Sequence, residues 1–292
     1  MAYLTGLHLH QMSSTRKTLT TFLRRKEMLM AWTMENEYLQ ITQNILTLGT
    51  KRKGRNGDTF SLPFQQLEFD LSSGHIPLIT TRKMHYRGIL GEYAAMIRGP
   101  KHIDDFKKYG CNYWDKWARE DGSISVDYGN AWIDFNGVNQ MEYVLDSLRN
   151  NPADRRMVIS GWRPDKLDDL DLPCCHHSYQ FWSDGDVVDL LWVQRSGDWM
   201  VGVPSDVVFA SVMLLCFSDL AGLKPRNVRM VVGDAHIYAE HEENARKQAR
   251  RVGWNPPSFT LKPQKDLYSF VPEDFEINDY THDEPLNYLL KD

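Results

Sequence analysis

Three features of the sequence predict an α+β fold in a single domain. Helix-like and strand-like spacings of apolar residues are mixed along the chain without a strict β-α-β order. No internal repeat or low-complexity linker divides its 292 residues. Hydrophobic residues make up 42% of the chain, enough for one sizeable core. Taken in order, Glu35 to Leu48 sets Tyr38, Ile41, Ile45, Leu46 and Leu48 at helical intervals and stops near Gly49. Arg55-Asn56-Gly57-Asp58 is a polar turn, and Phe60 to Leu71 partly alternates as a strand does. Tyr86 to Arg98 reads as a buried helix carrying Glu92. Met157 to Trp162, Ser178 to Trp182 and Val187 to Arg195 read as strands. Ser205 to Ala221 reads as a long apolar helix closed by Gly222. Val228 to Val232 is then a strand, and Ile237 to Arg251 a helix.

Residues 1–34 stand apart as an N-terminal extension, with the catalytic domain over 35–292. The first 26 residues lack Asp and Glu but hold Arg16, Lys17, Arg24, Arg25 and Lys26, which gives them some transit-peptide character. A short, poorly ordered extension is the plainer reading, with Met34 as an alternative start. The net charge of −5 argues against nucleic-acid binding through a broad basic face. No apolar run approaching the roughly 18 residues of a membrane span is apparent. Cys111, Cys174, Cys175 and Cys216 are too few and too irregular for a disulfide framework, so a reducing, cytoplasmic compartment is expected.

The densest chemistry lies in Leu172-Pro173-Cys174-Cys175-His176-His177-Ser178-Tyr179-Gln180-Phe181. Gln194-Arg195-Ser196-Gly197-Asp198 and Gly202-Val203-Pro204-Ser205-Asp206 follow it. Together they offer a thiol, an Arg-Ser pair suited to an anion and a polar loop suited to reading a base. Thiolate is the reactive form of cysteine, and a nearby Arg195 cation would favour it. Consecutive strand residues face opposite ways, so only one of Cys174 and Cys175 is expected to enter a site. The other would be a small buried apolar residue. Four adjacent Cys and His residues on a strand do not converge on zinc as spaced ligands do, so no metal is expected. Arg155-Arg156 and Arg195-Ser196 present fork-like donors that suit phosphate, and Arg55 can join them from its turn. A solvated face is the competing reading of such an arginine pair.

In order and spacing these motifs resemble the thymidylate synthase family. Further matches are Pro77 to Lys83, Tyr113-Trp114-Asp115-Lys116-Trp117-Ala118, Asp127-Tyr128-Gly129, Asp154-Arg155-Arg156, Gly233-Asp234-Ala235-His236-Ile237-Tyr238 and Glu273 to Ile277. The resemblance runs from Asn36 to Tyr280. It implies a mixed sheet packed with helices, a homodimer formed across the sheet, and 5,10-methylenetetrahydrofolate as co-substrate. With Gln180 fixing the register, it implies Cys175 as nucleophile and Cys174 in place of the family's proline. It implies Glu92 as organiser of water and proton transfer and Tyr128 near carbon 5 of the base. For the nucleotide it implies Arg55, Gln194, Arg195, Ser196, Asp198 and Asp206, with Arg155 and Arg156 reaching in from the partner. His236 and Tyr238 would bond the sugar, although Asp234 in the same motif is equally compatible with a helix N-cap. Around the folate it implies Trp114, Trp117, Asp198, Val201 and Gly202.

Three positions depart from the family. Arg55-Asn56-Gly57-Asp58 replaces Arg-Thr-Gly-Thr, and the C-terminus, Leu286 to Asp292, lacks the small apolar tail that closes over folate. Asp206 stands where the family carries the asparagine that reads uracil. Asparagine both donates and accepts, whereas an ionised aspartate only accepts, which suits the amino group of cytosine. A proton must then be shared at the ring nitrogen, and protonation there assists attack at carbon 6. The competing reading is that Asp206 N-caps a helix starting near Val207. Phage deoxycytidylate hydroxymethylases belong to this family and carry aspartate here. The resemblance therefore implies a dCMP 5-hydroxymethylase. Cys175 adds to carbon 6, carbon 5 takes the one-carbon unit, and water adds last because the altered tail closes loosely. Alternatives are a dCMP methylase, a thymidylate synthase tolerating Asp206, and a non-catalytic nucleotide- or RNA-binding relative.

Overall fold

The structure is a computed structural model that describes residues 34–291, so the basic residues of the extension lie outside the described part. The chain enters as helix α1 (34–48), in which Met34 is already buried against the core. The hairpin strands β1 (Thr50–Gly54) and β2 (Gly57–Asp70) follow, then α2 (Tyr86–Met96), α3 (Ile103–Lys107), α4 (Asn130–Ile133) and α5 (Gln140–Asn150). Next come β3 (Val158–Ser160), β4 (His176–Ser183), β5 (Val187–Asp198), α6 (Gly202–Ala221) and β6 (Lys224–Tyr238). Helix α7 (Glu242–Gln248) and the strands β7 (Ser258–Leu261) and β8 (Phe275–Asn278) complete the order.

Six strands form the main sheet in the order β1-β2-β6-β5-β4-β3. All neighbours are antiparallel except β5 and β6, the parallel pair that α6 connects. A parallel pair needs a crossover, and α6 supplies it while packing on the sheet. From Val203 to Ser218 this helix is almost wholly buried, which explains why it is apolar all round. It is also long and apolar enough by composition to span a membrane, contrary to the sequence reading; 83% of its apolar window is buried in the fold, so it is a core helix. Its end at Gly222 is left-handed (φ 70°), as anticipated. The buried Glu35 carboxylate accepts from the Thr80 and Thr81 amides, both at 2.8 Å, and from the Thr80 hydroxyl, which pins α1 to the following loop.

Several local expectations change. Strand β1 is fully exposed, so its Lys-Arg-Lys sequence gave no alternation to detect. Strand β6 extends to Tyr238, so Asp234 lies within a strand and caps no helix. It instead accepts from Arg52 at 2.7 Å and from the Ser61 hydroxyl. The helix anticipated from Ile237 begins only at Glu242. Helix α6 begins at Gly202 with Val201 as N-cap and no side-chain cap, so Asp206 sits one turn inside and the capping reading fails. Cys174 and Cys175 precede β4 rather than lying on it, so strand alternation does not separate them. Within β4 the pairing skips His177: His176 faces Gln194 and Ser178 faces Val193. This bulge lets His176 and Tyr179, three residues apart, both turn into the core.

Candidate active site

Cys175 sits in the bend ahead of β4, and two elements fix it. Its amide donates to the Tyr128 hydroxyl oxygen at 2.5 Å, and its carbonyl accepts from the Arg195 amide at 2.9 Å. Tyr128 is held by the Gly beside it: Gly129 adopts φ 78°, and a side chain there would run into the Met96 carbonyl. The Arg195 guanidinium reaches back over the same segment, donating to the carbonyls of Cys174 (2.9 Å) and Pro173 (3.0 Å). Its remaining N–H groups stay available for an anion. Burial pushes the Cys175 thiol up; the Arg195 charge and the Tyr128 hydrogen bond pull against this without overcoming it. The arginine is where the thiolate argument needs it, but the free protein holds a thiol. Cys174 is buried, with its Sγ donating to the Gly161 carbonyl at 3.1 Å. It has the structural role expected of the second cysteine.

Three partly buried carboxyl groups complete the set, and the charge of one of them, Asp206, is felt at the Cys175 thiol. Glu92, on α2, accepts from the Trp114 indole at 2.8 Å and from the Tyr113 hydroxyl at 2.7 Å. Burial pushes it up to about 7 in spite of those donors. Asp206, on α6, accepts from the Gln194 amide at 2.5 Å. Burial pushes it up to about 8, and the charges of Glu92 and Asp198 add to the shift. Asp198, at the end of β5, accepts from the amides of Met200 (2.9 Å) and Val201 (3.2 Å) and is also raised by burial. The charges of Glu92 and Asp198 are both felt at Asp206, so the three carboxyl groups lie near one another.

The remaining predicted residues fall into groups. Ser196 and Asp198 on β5 pair with Asp234 and His236 on β6, and His236 lies 5.3 Å from the Tyr238 ring. Arg55 tops the β1–β2 hairpin, bonded to Asn56, and its charge reaches Tyr238. Trp114 lies 5.2 Å from Trp117 and 5.7 Å from Tyr128, so it bridges Glu92 and the thiol side. The Trp117 indole N–H is buried without a partner, and Gly202 sets a side-chain-free backbone within contact distance of the Asp206 carboxyl. An aromatic pair, an orphaned donor and a side-chain-free helix start fit a flat heterocycle such as a pterin. Arg155 and Arg156 stand apart, exposed on the turn before β3, with Arg156 ion-paired to Asp154 at 3.0 Å.

Some contributors had no assigned role in the sequence reading. Tyr113 was visible only as part of a motif. Buried Arg82 donates to the Met200 carbonyl and lies 5.0 Å from the Tyr288 ring. The C-terminal stretch is tied down rather than loose. Tyr288 donates to Gln248 at 2.9 Å, Lys116 to the Leu290 carbonyl at 2.8 Å, and Lys291 pairs with Glu240 at 2.8 Å. No sequence pattern announces such contacts. Among the described residues, no cluster of three or more His, Cys, Asp or Glu residues is arranged to hold a metal ion.

A cysteine under an arginine clasp, near proton-retaining carboxyl groups on the elements that flank a mixed sheet, is an arrangement suited to covalent chemistry on an anionic substrate. The thymidylate synthase family model matches residues 36–290, and the chain belongs to that family. Its members are transferases that deliver a one-carbon unit from methylenetetrahydrofolate to carbon 5 of a pyrimidine nucleotide.

Proposed function

We propose that this chain is a dCMP 5-hydroxymethylase, with residues 35–292 as its catalytic domain. Asp206 carries the reading: it is a half-buried carboxyl, oriented by Gln194, that keeps its proton up to about pH 8. Cytosine presents an acceptor at ring nitrogen 3 and a donor at its amino group. A carboxylic acid can give its proton to the first and accept from the second. Uracil already bears a proton on that nitrogen and cannot take another. Protonating the ring withdraws electrons from carbon 6, where Cys175 attacks.

Methylenetetrahydrofolate supplies a one-carbon unit at the oxidation level of formaldehyde. Cys175 Sγ bonds to carbon 6 and makes carbon 5 nucleophilic, and it leaves again once carbon 5 is substituted. Glu92, poised near pH 7, moves the protons that this sequence requires, with Tyr113 and Trp114 orienting it. Tyr128 steadies the thiol. Arg195, Ser196 and Arg55 hold the phosphate, His236 and Tyr238 the sugar, and Trp114, Trp117, Asp198, Val201 and Gly202 the folate. A second copy is expected over the sheet face opposite α6, where Trp182 is 50% and Val158 38% exposed. Arg155 and Arg156, exposed beside that face, would then reach the partner's phosphate.

One observation favours a second outcome, dCMP methylation. The C-terminal stretch is held by Tyr288, Leu290 and Lys291, which supports exclusion of water from the site. The test is mass spectrometry of products from equal dCMP and dUMP with methylenetetrahydrofolate. Hydroxymethyl-dCMP is expected. Methyl-dCMP would keep the Asp206 reading and replace water by hydride, and a product from dUMP alone would overturn both. Asp206→Asn should shift the dCMP-to-dUMP preference towards dUMP by roughly 10³-fold or more.

A further inference from the structure

Tyr179 makes two contacts with the same residue, His176. Its hydroxyl oxygen lies 2.8 Å from the His176 carbonyl and 2.5 Å from His176 Nδ1. The hydroxyl has one proton to donate, and a carbonyl oxygen can only accept. If that proton went to Nδ1, two oxygen lone pairs would face each other at 2.8 Å. Both contacts are favourable in one arrangement only: the hydroxyl donates to the carbonyl and accepts from Nδ1–H. The ring is buried among Tyr128, Trp192 and Phe209, with centroids at 4.6, 4.5 and 5.7 Å, and burial holds it neutral at any working pH. A neutral imidazole has a single N–H, so Nε2 carries a lone pair.

The position of this ring gives the tautomer a consequence. His176 follows the nucleophile directly and lies opposite Gln194 in the β4–β5 ladder, so the two side chains share a face. Gln194 in turn holds Asp206. With Nδ1 committed to Tyr179, any hydrogen bond from the imidazole to a bound base runs through Nε2. The bulge at His177 brings Tyr179 into reach, since in an unbroken strand residues three apart face opposite ways.

We propose that Tyr179 is a positioning residue that locks His176 in the Nδ1–H tautomer, so that Nε2 accepts a hydrogen bond and the pocket favours a base presenting a donor at its 4-position. The lock stands on geometry alone, whereas the base preference rests on the dCMP reading. The 4-amino group of cytosine is such a donor, and the 4-oxygen of uracil is not.

Nitrogen-15 NMR of histidine-labelled protein separates the two parts. In the unmodified enzyme His176 should show a protonated Nδ1 and a bare Nε2, and Tyr179→Phe should shift the signals towards the opposite tautomer. A protonated Nε2 in the unmodified enzyme would overturn the lock, whichever base is turned over. The phenylalanine variant keeps the buried ring, and its own spectrum reports whether it is folded. It should lower the ratio of kcat/KM for dCMP over dUMP by about tenfold, the worth of one hydrogen bond. An unchanged ratio with a changed tautomer would overturn the base role and leave the lock standing.

Discussion

The two sides of the candidate active site are built on opposite principles. On the thiol side, polar groups meet backbone: Arg195 donates to the carbonyls of Pro173 and Cys174, and the Cys175 amide donates to Tyr128. On the carboxyl side, Glu92, Asp198 and Asp206 come from three different elements, and each is held by only one or two side-chain or amide donors. The first arrangement fixes an atom in space, and the second stores protons. Catalysis on a pyrimidine needs both, since a nucleophile must arrive at carbon 6 while protons come and go around the ring.

Removing the proposed nucleophile should produce the largest effect. Cys175→Ala should lower turnover by on the order of 10⁴-fold or more while nucleotide binding persists. Cys174→Ala, one residue away, should keep activity within a few-fold and lose stability instead, because its thiol is buried against Gly161. The pair is measured by single-turnover kinetics and denaturant unfolding. Comparable activity losses in both variants would mean that the thiol side does not distinguish the two cysteines.

The same contrast governs what could be read from the sequence. On the thiol side the cysteines and Arg195 were legible from two short motifs, while the choice of Cys175 and the place of Tyr128 came by resemblance; Cys175, Arg195 and Tyr128 do converge. The central helix and strands were legible from apolar spacing, though β6 and α6 proved longer than their patterns implied. The carboxyl side was legible only by resemblance, because Glu92, Asp198 and Asp206 lie far apart in sequence and their proton affinity is a property of burial. The bulge at His177 was illegible, since a skipped residue changes no local composition. The tail contacts were misread for a related reason: Tyr288 and Lys291 find their partners through tertiary packing alone.

A smaller, graded effect should appear in stability. Asp206 moves from 3.8 in the unfolded chain to about 8, and Glu92 from 4.5 to about 7. The folded state therefore retains protons that the unfolded chain gives up near pH 4. The stabilisation from these protons is complete below that pH and is lost as pH rises through the folded values. Between pH 5 and 8 the stability of the native enzyme should therefore fall relative to Asp206→Asn, by at most about 1.4 kcal/mol per pH unit for that group. Urea midpoints of the two proteins across this range give the difference directly. Parallel curves would mean that Asp206 ionises like an exposed carboxyl, and the carboxyl side would lose the property that sets it apart.

The smallest expected effect tests whether the tail belongs to the carboxyl side. Tyr288 lies over the Arg82 guanidinium at 5.0 Å, and Arg82 donates to the carbonyl of Met200, just before Val201 and Gly202. Tyr288 also donates to Gln248 on α7. Tyr288→Ala removes both contacts and should cost about 1–2 kcal/mol in unfolding free energy. Arg82 would lose its cover beside the start of α6, so the KM for methylenetetrahydrofolate should rise a few-fold while that for the nucleotide stays nearly constant. Equal rises in both KM values would place the tail on the whole cleft rather than on its carboxyl side. A stability loss with neither KM changed would make Tyr288 a fastener for α7 alone.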